Sequence, residues 1–301
     1  MWKKIRESYF LYSFLRDPVA VGSFLILFVL LLLALFAPLL ATQNPYDGSS
    51  IDIMDAEIAP MWISGGNFLL GTDAQGRDIW STILYGARVS LLIGLGAVVL
   101  QAGLGIIVGL VSGYKGGKID SILMRITDVQ LSFSSYMVAI FFGAILQTAF
   151  GVAGYANIAL PFLVFVIGIS EWPQYARTVR ASVLAEKKKE YVEAARVIGL
   201  KPSRIMWRHI LPNTLTPVLV ISTVQVANAV MSEAALSFLG LGMPATQPSL
   251  GSLIKSGFTY VLSGSWWITL FPGLVLVLLV LSINLLGDWL RDFLNPKLYK
   301  D

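Results

Sequence analysis

Residues 131–170 run for 40 positions without one Asp, Glu, Lys or Arg. An apolar helix crosses a hydrocarbon core of about 30 Å with about 20 residues. This run therefore accommodates two crossings, and Gly151, Gly154 and Asn157 mark the expected hairpin between them. Residues 19–41, 89–112, 210–232 and 266–287 have the same apolar character. Only 13% of the 301 residues are charged, against about 25% in soluble proteins. That fraction cannot solvate a water-facing surface, and it also excludes a disordered chain. Backbone in lipid must satisfy its own hydrogen bonds, so the chain reads as an all-α polytopic membrane protein with six transmembrane helices.

The basic residues orient those helices. Lys3, Lys4, Arg6 and Arg16 precede the first span, whose apolar run is too long for a signal-peptide core, so it reads as a retained helix. Six spans place 19 of the 22 Lys and Arg residues on one side and 3 on the other. The basic side is cytoplasmic by the positive-inside rule, which puts both termini in the cytoplasm. The pI near 9.2 thus speaks of orientation and not of nucleic acid. The expected organisation is a cytoplasmic segment 1–18, a first span 19–41, an external loop 42–87, a five-helix membrane domain 88–288 containing a cytoplasmic loop 177–213, and a cytoplasmic tail 289–301. The third helix is expected to begin early and run on unbroken, from about Asp120 through Arg125 and Asp128.

Enzyme chemistry finds little support. The chain has no cysteine for a thiolate site or nucleophile, and one histidine, His209, which leaves no partner for a two-histidine metal site or a serine triad elsewhere. The stretch from Gly113 to Lys118 falls one residue short of a phosphate-binding loop and has Ile119 where Ser or Thr is required.

The cytoplasmic loop carries more information. Residues 176–196 are helix formers without Gly or Pro, Gly199 sits where a C-cap glycine belongs, and Pro202 opens a new helix. Residues 203–209 form a second amphipathic piece, with Ile205, Met206 and Trp207 beside Arg204 and Arg208, and Pro212 is expected to end it. A solvated loop would leave that apolar stripe bare in water, whereas a docking segment would cover it.

Glu193-Ala194-Ala195, Gly199 and Leu211-Pro212, at their fixed spacing, resemble the EAA signature of ABC-importer membrane subunits. His209-Ile210-Leu211-Pro212-Asn213 resembles the form this takes in peptide importers. Gly71-Thr72-Asp73, Gly76-Arg77-Asp78, Tyr85-Gly86-Ala87-Arg88, the stretch from Glu233 to Gly242 and Asn295-Pro296-Lys297-Leu298 resemble the second permease type of dipeptide, oligopeptide and nickel importers. The resemblance implies a type I ABC-importer permease fold in a bacterial cytoplasmic membrane. It implies a homologous partner permease, two ATPase subunits that bind ATP and Mg, an external solute-binding protein, surrounding lipid and a peptide substrate. It implies no cofactor in this chain. It assigns ATPase coupling to Glu193, Ala194, Ala195, Gly199, Ser203, Met206, Trp207, His209, Leu211 and Pro212. Alternative cargoes are nickel complexes, glutathione and other peptide-like solutes.

The candidates for a translocation path or gate are Gln225, Asn228, Glu233, Gly105 and Gly109. Gly105, Gly109 and Gly113 form two overlapping GxxxG steps, which suit either packing within the chain or a seam against a partner permease. Arg125 with Asp128, and Glu171 with Arg177, are expected as local ion pairs near the membrane edge. Glu233 either greets a peptide's amino terminus or is interfacial. Lys187, Lys188 and Lys189 either bind anionic lipid or form a solvated face. A secondary transporter would need ionisable groups at mid-depth, where only Gln101, Gln225, Asn228 and Asn284 are expected. A channel or scaffold subunit would leave the EAA-like segment unexplained.

Overall fold

A computed structural model of the protein describes residues 9–294, the side chains of 9, 152 and 153 excepted. Lys3, Lys4, Arg6 and the motif Asn295-Pro296-Lys297-Leu298 lie outside the described residues. Helices α1 (Tyr9–Arg16) and α2 (Pro18–Leu35) are separated by Asp17, whose carboxylate accepts from the N–H groups of Val19 and Ala20 and caps α2. Phe10 and Phe14 of α1 meet the ring of Trp289 edge-on, each at 5.1 Å. Helix α2 buries only Ala20, Ser23 and Ala34, which leaves most of its apolar surface outward, as a lipid-facing span requires.

The membrane core comprises α3 (Ile79–Lys115), the bent pair α4 (Gly117–Leu131) and α5 (Ser135–Gly151), α6 (Gly154–Glu186), α8 (Pro202–Phe238) and α10 (Trp267–Phe293). Five helices are long and apolar enough to cross a membrane, and the α4–α5 pair supplies a sixth span if counted as one. Among the described residues there is no strand, only an isolated bridge between Thr72 and Asp78.

Three sequence expectations change here. The third helix is not continuous, because α4 and α5 meet at a 75° bend. Ser132 returns its hydroxyl to the Asp128 carbonyl (2.9 Å) and Ser134 adopts extended φ/ψ, a local alternative to helical pairing that serine offers. The hairpin before α6 turns at Gly151 alone (φ +67°), while Gly154 and Asn157 already belong to α6. Helix α3 begins ten residues before the expected span, because Asp78 caps it by accepting from the Ser81 N–H.

Two apolar clusters hold the helices. One joins α3, α5, α6, α8 and the segment between α6 and α8; the other joins α2, α3, α8, α10 and a short helix α9 (Leu250–Phe258). The glycine stripe of α3 faces α6. A Cβ on Gly109 would lie 2.5 Å from the Ala176 carbonyl oxygen and 2.8 Å from Val179 Cβ, and one on Gly113 2.8 Å from Val183 Cβ. Gly105 abuts Tyr175 and Trp172 in the same way. The stripe is thus a backbone-to-backbone contact within the chain.

The region between α2 and α3 is ordered by buried polar contacts. Arg77 and Asp73 pair at 2.7 Å with both side chains 4% exposed, and Arg77 also donates to the Ala245 carbonyl (2.8 Å). Ser265 donates to Glu57 (2.7 Å) and the Trp267 indole to the Thr72 carbonyl (3.2 Å).

Candidate functional site

The segment that carries the EAA-like motif begins where α6 ends. Helix formers fill 176–196, yet α6 stops at Glu186 and a new helix, α7 (Glu190–Val197), starts after an extended Lys189. Tertiary contacts break it. Glu186 accepts from Lys189 (2.6 Å) and from the Tyr191 hydroxyl (2.7 Å), and Val192 and Ala195 turn back into the membrane core. Burial first, and then the bond to Glu186, push the Tyr191 phenol above its usual range, which keeps it a donor. Asn213 donates to the same hydroxyl (3.1 Å), so α7 is tied to α8.

Gly199 terminates α7 as the spacing predicts. Its φ is +81°, the Leu200 N–H reaches the Ala195 carbonyl (3.1 Å) and the Gly199 N–H the Arg196 carbonyl (2.9 Å). This pair of bonds is the Schellman closure. Pro202 then opens α8. Pro212 does not end this helix: residues Ile205–Ile210 form a π-helical turn, with the Leu211 N–H bonded to the Met206 carbonyl, and the helix continues to Phe238. A proline ring clashes with the carbonyl four residues back in α geometry, and the wider turn relieves it. The Asn213 amide donates to the His209 carbonyl (2.9 Å).

The segment has two faces. Val192, Ala195, Ile205, Met206 and Ile210 are buried in the core that also holds Val179 and Val183 of α6. Glu193, Ala194, Ser203 and Pro212 are exposed, and His209 and Leu211 are half-buried. Val197, Ile198 and Trp207 are 88%, 76% and 47% exposed. Met206 therefore packs inward, and the bare apolar group consists of Val197, Ile198 and Trp207. The first two were missed from sequence, although they immediately precede the C-cap glycine, where a chain turning outward must expose them.

The local ion pairs regroup. Asp128 pairs with Arg177 (2.6 Å) and not with Arg125, and Asp120 with Arg180 through two bonds of 2.6 Å, which pins α4 along α6. Glu171 accepts from Ser135 and Gln174, each at 2.7 Å, and not from Arg177. Lys187 donates to the Tyr114 carbonyl and lies 5.5 Å from its ring centroid, while Lys188 is exposed.

Among the membrane candidates, Gln225 is buried and accepts from Asn228 (2.9 Å), while its own amide nitrogen meets no partner among the described residues. Asn228 is exposed and lines a groove of about 410 Å³ with Glu171. Glu233 is fully buried and accepts from Ser90 (2.7 Å) and Ser237 (2.6 Å). Enclosed in this way, its carboxylate is held between α3 and α8 by the two serine hydroxyls. Gly105 and Gly109 are taken up by the α3–α6 contact.

Comparison with known proteins places this architecture. The family described as binding-protein-dependent transport system inner membrane component matches residues 105–300, and the N-terminal TM domain of oligopeptide transport permease C matches residues 8–60. The di/tripeptide transport system permease protein DppC of Pseudomonas aeruginosa is 39% identical over 95% of this chain and 90% of its own length. The dipeptide permease DppC of Escherichia coli is 40% identical over 96% and 92%, and the oligopeptide permease OppC of Bacillus subtilis 35% identical over 95% and 88%. A chain of the MetNI methionine ABC transporter, solved in inward-facing conformations, covers 71% of this chain and 97% of its own with a TM-score of 0.56 at 20% identity. That likeness is one of fold, the type I ABC-importer permease fold. The capped EAA-like segment, the six apolar elements and these relatives lead to one conclusion: the chain belongs to the binding-protein-dependent transport system inner membrane components, as a multi-pass permease subunit of the DppC/OppC type.

Proposed function

We propose that this chain is one of two homologous permeases of an ATP-driven importer that carries di- and oligopeptides across the bacterial cytoplasmic membrane. Two ATPase subunits, holding ATP and Mg, dock on the cytoplasmic segment, and an external solute-binding protein delivers the peptide. Residues 1–18, 177–213 and 289–301 lie in the cytoplasm, residues 42–87 outside, and 19–41 and 88–288 supply the spans. ATP hydrolysis belongs to the partners.

One observation carries this reading. Val197, Ile198 and Trp207 are bare on a segment whose buried side chains, Val192, Ala195, Ile205, Met206 and Ile210, are continuous with the core of α3, α6 and α8. A groove that covered the three apolar side chains would therefore move the membrane helices along with it. Glu193 and Ala194 border that surface, and Gly199 and Pro212 shape it. Hydrophobic burial drives such docking, while differential contact in two nucleotide states drives transport. The test is the purified four-subunit complex. Ile198→Asp with Trp207→Asp is expected to release the ATPase subunits in pull-down and abolish dipeptide uptake in vesicles, with this chain still membrane-inserted. Intact association in that double variant would refute the docking assignment.

A further inference from the structure

The bend between α4 and α5 opens the 410 Å³ groove lined by Gln130, Ser134, Glu171, Gln174, Asn228 and Ser232, among others. Glu171 is the one charged residue in its lining. Other acids of the neighbourhood are matched to arginines, Asp120 to Arg180 and Asp128 to Arg177. Among the described residues Glu171 has two donors, both neutral: the Ser135 hydroxyl and the Gln174 amide. No basic side chain among them pairs with this carboxylate.

Its place inside the span makes this costly. Glu171 belongs to the apolar part of α6 (Gly154–Glu186), six residues (about 9 Å) before Arg177, where the cytoplasmic segment proposed above begins. The neighbouring Trp172 lies against Gly105 of α3. At that level α3 is ten residues (about 15 Å) from Lys115 and 17 residues (about 25 Å) from Arg88, its nearest charges. An intramembrane acid at such a level faces a bundle interior or a water-filled path. Gln174 and Asn228 are exposed beside it, and amides bare to hydrocarbon would lose their hydrogen bonds without replacement. In the assembled transporter the groove must therefore meet polar partners, from water, solute or another subunit.

We propose that this groove is a solute subsite, in which the Glu171 carboxylate receives a cationic group of the passing solute, the ammonium terminus of a peptide. Ser135 and Gln174 hold the carboxylate in place from α5 and α6, and Asn228 offers an amide to the peptide backbone from α8. The peptide identity rests on the function proposed above; the preference for positive charge rests on the groove itself.

The chain contains no cysteine, so Asn228→Cys places a single thiol of this subunit in the groove. In the assembled complex, that thiol is labelled with a trimethylammonium-ethyl or a sulfonatoethyl methanethiosulfonate. Each rate is divided by the rate with free mercaptoethanol, and the complex lacking the introduced thiol gives the background. The cationic reagent is expected to be favoured at least tenfold, with the preference lost in Glu171→Gln and kept in Glu171→Asp. In parallel, uptake of dialanine is expected to fall at least tenfold in Glu171→Gln and to be largely rescued in Glu171→Asp. An unlabelled thiol, or a preference unchanged in Glu171→Gln, overturns the subsite, even if uptake falls. Absent uptake by the unmutated complex overturns the peptide reading, whereas the reagent preference still decides the cation site.

Discussion

Gly199 and Glu233 show how differently single residues disclose their roles. A positive φ is a demand of the local backbone, so spacing after a helical run was enough to place Gly199 at the C-cap, where the structure has it at +81°. Forcing a side chain into that conformation costs about 1–2 kcal/mol. Gly199→Val should accordingly raise amide exchange across 190–200 about tenfold, read by mass spectrometry, with slow exchange retained in α3. Glu233 carried no comparable local signal. Its partners Ser90 and Ser237 lie on α3 and α8, and the Leu250 N–H at the start of α9 also reaches Ser90 (3.3 Å). Truncation strands two buried hydroxyls at about 1–3 kcal/mol each. Glu233→Ala should lower the thermal midpoint in detergent well below that of Glu233→Gln.

At the scale of elements, apolar length was legible and helix ends were not. The Asp78 cap, the Ser132–Ser135 cluster and the π-helical turn before Pro212 all have sequence signals. Each signal is nonetheless compatible with a plain helix until neighbouring elements decide between them. Thus α4 bends away because Arg177 and Arg180 of α6 hold Asp128 and Asp120. The glycine stripe on α3 was visible as a pattern, with its partner unspecified. Contact with α6 predicts that Gly109→Val overpacks and costs about 1–3 kcal/mol or more. Gly103→Ala, on the open face with nothing within 4 Å, should be neutral or stabilise by up to about 1 kcal/mol through helix propensity. Thermal unfolding of the two variants in the same detergent separates these outcomes, and equal midpoints would place the stripe elsewhere.

For the whole molecule, 19 basic residues on one side against 3 on the other predict a topology that can be read directly. In the cysteine-free chain, Lys188→Cys should react with an impermeant maleimide only after the membrane is opened, and Asn67→Cys in intact spheroplasts. Reversal of the two would invert the orientation proposed above. Sequence by itself determined the membrane class, the number of apolar elements, the Gly199-capped segment and its family resemblance. These depend on composition, on spacing within one element and on local backbone geometry. Only the tertiary structure decided which face of that segment is bare, that Met206 turns inward while Val197 and Ile198 turn out, and that Glu233 is enclosed. It also decided that Glu171 lines a groove with two neutral donors. Burial and charge pairing are relations between residues 30 to 160 positions apart, brought together by packing, and no local pattern encodes them.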